Sequence, residues 1–378
     1  VTGVALNLAT LAYFKYTNFL IDTVNTIFSF QFKIHDILLP LAISFFTFQQ
    51  IAYIVDSYSR KTEEHDFFDY ILFVTFFPQL VAGPIVHHKD MMSQFRTSGA
   101  QSINVDNINK GICIFILGLA KKVIVADYLA MIAAPGFSHP EAIEFSTAWV
   151  TSLSYTFQLY FDFSGYCDMA IGIGLLFNIK LPLNFNSPYK AVNIQDFWKR
   201  WHITLTIWLR DYLYIPLGGN RKGDVRSYFN VFLVFLLGGL WHGAGWTFIL
   251  WGILHGVACI VHKLHVKYIA SRITINKALA WLITFNIVNI GWVLFRSDKV
   301  SSAFRIIKKM YTFENQQTLL CLLGLFYVCI LLPSIVEFSQ KVIYRRSFFA
   351  AILGVILLYC LWILSIPNQS SPFLYFNF

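Results

Sequence analysis

Apolar runs long enough, or nearly so, to cross a bilayer recur along the chain. They lie at 1–21, 37–55, 67–86, 111–134, 146–178, 228–240, 245–266, 278–295, 318–338 and 348–366. About 20 apolar residues span the hydrocarbon core as a helix. Lipid cannot satisfy an open backbone, so helix is the form such runs take. The segments between them are short and polar. No linker rich in Pro, Gly or Ser divides them, and there is no internal repeat or low-complexity tract. The pattern predicts an all-α, polytopic integral membrane protein made of one domain, residues 1–378.

One stretch breaks the pattern. Residues 179–227 are polar for this chain and basic: Lys180, Lys190, Lys199, Arg200, Arg210, Arg221, Lys222 and Arg226 stand against Asp196, Asp211 and Asp224. The stretch is also rich in Trp and Tyr, which suits the headgroup zone. Within it, 193–214 (NIQDFWKRWHITLTIWLRDYLY) sets Phe197, Trp201, Leu205, Trp208 and Tyr212 three and four apart. That spacing predicts a helix with one apolar face, lying in the interface or dipping into the protein and not spanning. A Pro–Gly loop, IPLGGNRKG, follows it.

Composition agrees. Of 378 residues 57% are hydrophobic and only 13% charged, about half the charge of a soluble domain. That excludes disorder and leaves too few charges to cover a soluble surface. The net charge of +9 reads as basic residues gathered in cytoplasmic loops. No motif for nucleic acid accompanies it. Cys113, Cys167, Cys259, Cys321, Cys329 and Cys360 include no C-x-x-C pair and lie mostly in apolar runs, as small buried hydrophobes. The chain opens at Val1 inside an apolar run, without a secretory signal. The expectation is that N-terminal residues are missing.

Candidate chemistry centres on histidine. His35, His65, His87, His88, His139, His262 and His265 sit in or near polar loops, where a solvated surface position is expected. His202 lies in FWKRWHITL, His242 in GGLWHGAGW and His255 in LWGILHG. An ionisable side chain at membrane depth is a functional candidate. The alternative is a histidine satisfied by a backbone carbonyl. Gly238, Gly239, Gly243 and Gly245 around His242 allow close approach of a ligand, with Trp241 and Trp246 as walls. They serve equally for helix–helix packing. Gly218–Gly223, Gly-rich and basic, reads as a turn, with a phosphate cradle as the alternative. Asp162 and Asp168, in YFDFSGYCDMAIG, suggest either a broken helix with solvated carboxylates or an ion pathway. No metal-ligand spacing is present, and no G-x-S-x-G elbow.

Several blocks together resemble the membrane-bound O-acyltransferases, and within them the bacterial branch that acetylates alginate and other polysaccharides. They are SFFTFQQIAYIVDSY (44–58), FPQLVAGPIVHHKDM (77–91), GLAKKVIVADYLA (118–130), LYFDFSGYCDMAIGIG (159–174), NFNSPYKAVNIQDFWKRWHITLTIWLRDYLYIPLGGNRKG (184–223) and GGLWHGAGWTFILWGILHG (238–256). They run in the family's order over most of 40–260. The resemblance implies a helical bundle around a central tunnel, with interfacial or re-entrant helices, in the bacterial inner membrane. It implies that the first N-terminal helices are absent here. It implies that His242 is the catalytic histidine and His202 the second active-site position. It implies no bound cofactor, with acetyl-CoA as the expected donor.

On that reading His242 acts as general base toward a hydroxyl. His202 orients it or holds the developing oxyanion, and an acyl-histidine route stays open. Lys199, Arg200, Arg210, Arg221 and Lys222 are candidates for the donor's phosphates, with Trp241 beside the site. The expected partners are membrane lipid, a polysaccharide acceptor and a periplasmic acetyltransferase-like protein. The rival readings are a transporter or flippase, suggested by Asp162 and Asp168, and a non-catalytic scaffold of a polysaccharide export complex.

Overall fold

A computed structural model of the chain describes residues 1–60, 67–80, 83–96, 102–271, 275–312, 347–366, 371 and 373–374. Among these residues every regular element is helical. The predicted apolar run 318–338 lies outside the described residues, as do His65, Cys321 and Cys329.

Eight of the apolar runs become helix over most of their length. α1 (Thr2–Phe28) and α2 (Ile43–Tyr58) are joined by a non-helical segment, so the second run turns helical only after Pro40. α5 (Val105–Ala120) passes through a π-helical turn, Lys121–Ala126, into α6 (Asp127–Ser138). α7 (Phe145–Leu176) is the longest among the described residues, with 32 residues, or about 48 Å. It begins with a capping box in which Thr147 Oγ1 accepts from the Glu144 N–H at 2.9 Å. α10 (Asp224–His242), α11 (Trp246–Leu264) and α12 (Lys277–Arg296) follow in the second half. α13 (Val300–Met310) and α14 (Ser347–Ser365) complete the set.

The run 67–86 departs from expectation. It forms only α3 (Phe67–Thr75), a short 3₁₀ turn at Phe77–Gln79 and extended chain leading to α4 (His88–Phe95). Nine helical residues reach about 14 Å, too short to cross. Pro78 and Pro84 remove backbone donors and clash with a preceding turn, which ends the helix. Among the described residues two helices are both long and apolar enough to cross a membrane: α11 with its continuation, Trp246–Ile269, and α12. α1 and α14 turn large apolar side chains outward, among them Leu6, Leu20, Val355, Leu358 and Trp362, a pattern that fits hydrocarbon.

α7 is the post around which the first half packs. Small residues bring its backbone against α5. A Cβ on Gly111 would stand 2.6 Å from the Gly172 carbonyl oxygen, and one on Gly118 2.8 Å from that of Gly165. Asp162 and Asp168 stay inside an unbroken helix, contrary to the broken-helix reading. Lys121 Nζ meets Asp168 Oδ2 at 2.7 Å; Lys122 Nζ meets Asp162 Oδ1 at 2.7 Å and Asp127 Oδ1 at 2.8 Å. These carboxylates clamp α7 to the π turn. On the other side, Asn289 of α12 accepts from Thr156 Oγ1 at 2.7 Å. Cys113, Cys167, Cys259 and Cys360 are buried and free.

α10 and α11 are joined the same way. A Cβ on Gly239 would lie 2.4 Å from the Phe248 carbonyl oxygen, and one on Gly252 2.5 Å from that of Phe235. These two glycines therefore serve packing. Gly252→Ala is expected to cost about 1–3 kcal/mol of stability by overpacking. Thermal unfolding in detergent reads the loss. Gly354→Ala, where a Cβ meets nothing within 4 Å, is the control and should leave the midpoint unchanged.

Candidate active site

Much of 193–208 in the basic stretch is buried, so this part dips into the protein, one of the two expected placements, while most of 215–226 is exposed. Trp201 and His202 are 1% and 0% exposed. The single helix expected over 193–214 is broken. α8 (Ile194–Trp198) starts at Asn193, whose side chain caps the Asp196 N–H at 2.8 Å. It ends before His202, which takes left-handed backbone angles (φ 44°). α9 (Ile203–Leu209) then begins and runs into a π turn, Arg210–Tyr214. The predicted apolar face survives the break: Phe197, Trp201, Leu205 and Trp208 are all buried.

Asn184 supports the break. Its main-chain oxygen accepts from the Ile203 N–H at 3.0 Å. Its Oδ1 accepts from the Thr204 N–H at 3.2 Å and from Thr204 Oγ1 at 3.0 Å. A distant side chain thus satisfies the first donors of α9. The same Oδ1 lies 3.1 Å from His202 Nδ1. A backbone N–H can only donate, so this Asn184 atom is the carbonyl oxygen and His202 Nδ1 carries the proton. Burial of the ring disfavours a second proton. His202 is then neutral, with a lone pair on Nε2. Its ring packs edge-on to Phe163 at 4.8 Å.

His242 is the last residue of α10, where Gly243 leaves the helix. A Cβ on Gly243 would fall 2.1 Å from the Phe248 ring, so the turn to α11 closes against that ring. His242 is 3% exposed, with Trp241, Trp251 and Phe295 at 4.9, 5.1 and 5.1 Å between ring centroids. The fold brings His202 to it across 40 residues of sequence: Phe45 of α2 stacks on His202 at 6.4 Å and meets Trp241 at 5.2 Å. His202, Lys15 and His255 are near enough to act electrostatically on His242.

His242 lines a cavity of about 370 Å³, within the usual range of small-molecule sites. Its walls come from α8, α9, the π turn, α10 and α11. Leu205, Leu209, Val231, Val234, Phe235 and Gly238 make them largely apolar. Trp198 and Trp251 also line the cavity, and among the described residues neither indole N–H has a hydrogen-bond partner. Three cations border it: Lys199, Arg210 and Lys263. Lys199 and Arg210 are exposed, so the cavity reaches the surface on their side. Lys263 donates to Ser227 Oγ at 3.1 Å and sits over the Tyr214 ring.

The remaining sequence candidates lie elsewhere. Arg200 turns back to Asp196 at 2.8 Å and to the Asn186 carbonyl. Arg221 and Lys222 stand exposed on the loop. That loop is a turn whose Gly218 and Gly219 take positive φ, and Asn230 donates to the Gly219 carbonyl at 2.9 Å. Trp241 packs into the core, its ring 4.8 Å from Phe48 and its indole donating to the Ser44 carbonyl. His255 is fully buried between Trp198 and Trp251, at 5.0 and 4.8 Å, outside the cavity wall. Its ring nitrogens have no hydrogen-bond partner among the described residues. His88 is buried beside Asp56 and the Tyr53 ring, not solvated. His262 is within α11 and not in a loop.

Sequence reasoning missed Lys263, which was not among the candidates. Trp251, Cys259 and Lys263 are separated by multiples of four on α11, a spacing that puts them on one face. It missed Lys15 and Asn184 as well. For Asn184 no local signal existed, because its partners are 18 and 20 residues away.

A helical membrane protein with a buried histidine on a basic-rimmed, apolar cavity is the class that this geometry defines. Residues 34–299 match MBOAT, the membrane-bound O-acyltransferase family, and the chain belongs to that family. It is 53% identical to a protein named peptidoglycan O-acetyltransferase from Helicobacter pylori, over 82% of this chain and 64% of the relative. It is 45% identical to a Pseudomonas aeruginosa protein named "Probable alginate O-acetylase AlgI", over 84% of this chain and 61% of the relative. A teichoic acid D-alanyltransferase of Bacillus subtilis is 28% identical, with 69% of each chain covered. The chain spans somewhat less than two thirds of the length of the first two.

Proposed function

We propose that the protein transfers an acetyl group from a thioester donor, acetyl-CoA, toward hydroxyls of an exported glycan. The observation that carries this reading is that one cavity joins His242 to Lys199, Arg210 and Lys263. The cavity is large enough for the thioester end of such a donor. The donor's phosphates would lie at the basic rim, where cations bind them.

The chemistry follows from the groups present. The acceptor oxygen attacks the carbonyl carbon of the thioester while His242 takes its proton. The carbonyl π electrons move to oxygen, and the indole N–H groups of Trp251 and Trp198 are the donors at hand for that charge. Collapse breaks the C–S bond, and the leaving thiolate takes the proton from His242. His202, with its proton committed to Asn184, offers a lone pair. It suits accepting from the acceptor hydroxyl or from His242, and not donating to an oxyanion.

Peptidoglycan heads the list of acceptors, because the relative named for it is more similar than the one named for alginate. A periplasmic protein that takes the acetyl group onward to the glycan belongs to the same proposal, as does location in the inner membrane. Asp162 and Asp168, which suggested a transporter, are each paired with a lysine.

The direct test uses the full protein in proteoliposomes with acetyl-CoA and a glycan acceptor, supplemented with a periplasmic fraction. Release of free CoA thiol together with acetyl ester on the glycan is the expected result. Thiol release no faster than from protein-free liposomes overturns the proposal. The rim adds a second expectation. Lys263→Ala is expected to raise the donor KM about tenfold, the loss of one charge-assisted hydrogen bond, with kcat little changed. An unchanged KM would remove Lys263 from the donor site.

A further inference from the structure

Lys15 sits near the middle of α1, in LAYFKYTNF, where its neighbours are mostly apolar. A lysine at that depth is costly unless it is held, and such residues mark function by default. Its ammonium donates to the carbonyl oxygen of Trp241 and, at 3.0 Å, to Ser44 Oγ. The next residue, Tyr16, donates its hydroxyl to the Leu240 carbonyl at 2.6 Å. Both carbonyls belong to the last turn of α10, which ends at His242. The last carbonyls of a helix have no partner within it and form the negative end of its dipole. α1 therefore brings a cation and a hydroxyl to that negative end.

The same helix continues past the turn. The Phe19 ring lies 5.9 Å from Trp246, the first residue of α11. Lys15, Tyr16 and Phe19 thus hold both ends of the Gly243–Gly245 turn. Ser44 closes the arrangement from α2: its hydroxyl accepts from Lys15 and its carbonyl accepts from the Trp241 indole.

We infer that Lys15 is a positioning residue for His242: its grip on the Trp241 carbonyl fixes the peptide unit from which the His242 side chain departs. Aim matters because a misplacement of about 1 Å in a reacting group can cost about 100-fold in rate. Lys15 is absent from the cavity wall, so it acts through α10 and not on the donor. The inference rests on His242 being the base of the proposed transfer.

Kinetics of the full protein in proteoliposomes test it. Lys15→Met keeps an unbranched stem of similar reach and removes the donor. Its kcat is expected to fall about 10- to 100-fold, with the donor KM within about twofold of wild type, since the rim cations are untouched. Lys15→Arg, which keeps a charged donor, is expected to recover most of the loss. A Lys15→Met protein with wild-type kcat, or a Lys15→Arg protein as impaired as Lys15→Met, overturns the inference. Should Lys15→Met fail to accumulate, Lys15→Gln decides. Its shorter side chain pulls the donor away from Trp241, so lowered kcat at unchanged KM supports the role and wild-type kcat overturns it. An inactive wild type or a fully active His242→Ala protein defeats the proposed function itself; an active wild type indifferent to Lys15 defeats only this inference.

Discussion

Replacement of His242 by alanine is expected to lower acetyl transfer about 10³-fold, within the span that a general base contributes, while the protein still inserts and folds. The side chain ends α10 and packs on the rings of Trp241, Trp251 and Phe295. Its loss removes the only ring that the Gly238–Gly245 region turns into the cavity. The walls and the basic rim stay as they are. Donor binding should therefore survive and turnover should not, so kcat falls and KM does not. Acetyl ester on the glycan, measured against protein amount in the membrane, reads the first quantity. A donor competition assay reads the second. Retained acetylation in the His242→Ala protein would sink the assignment.

The second large effect falls on stability. Lys122 lies between Asp127 and Asp162, at 2.8 and 2.7 Å, with all three side chains buried. Ser371 joins them, accepting from Lys122 and donating to Asp127 at 2.6 Å, and the Leu374 N–H donates to Asp162 at 3.0 Å. Lys122→Met fits the same space and leaves two buried carboxylates without their cation. Removing one partner of a buried pair costs about 3–5 kcal/mol. The unfolding midpoint in detergent should drop accordingly. Adding Asp162→Asn to Lys122→Met should recover part of the loss, since it removes one of the stranded charges. A shift below about 1 kcal/mol for Lys122→Met would mean that water reaches these carboxylates, and the clamp would then be a solvated cluster.

How much could be seen beforehand depends on the range of the forces involved. Apolar runs mark helices because burial of a 3.6-residue face is local, and nearly every described run became one. The exception at 67–86 contains Pro78 and Pro84, which break a helix locally, whereas hydropathy alone set the bounds of the run. His202 and His242 stood out because ionisable groups in such surroundings are rare. Lys199 and Arg210 were read from charge alone, and the cavity borders on both. Arg200, Arg221 and Lys222 carry the same charge in the same stretch, but side-chain direction and loop geometry turn them elsewhere. The pairing of Asp162 and Asp168 was not legible because their partners, Lys121 and Lys122, are 40 or more residues away.

By itself the sequence determined that this chain is helical and membrane-bound, and it marked two histidine-bearing blocks as the candidate site. Hydrophobic periodicity, charge count and local motif spacing suffice for that, since each is a property of neighbouring residues. Only the tertiary structure decided which groups meet. It broke the helix at His202 because Asn184 could satisfy the freed donors, and it laid α8, α9, α10 and α11 around one cavity. It brought Lys15 from the first helix to the carbonyl end of the helix that carries His242, 226 residues away. Such pairings arise from the packing of whole helices, held close by glycines such as Gly239 and Gly252. No local pattern of residues encodes the partner of a side chain on another helix.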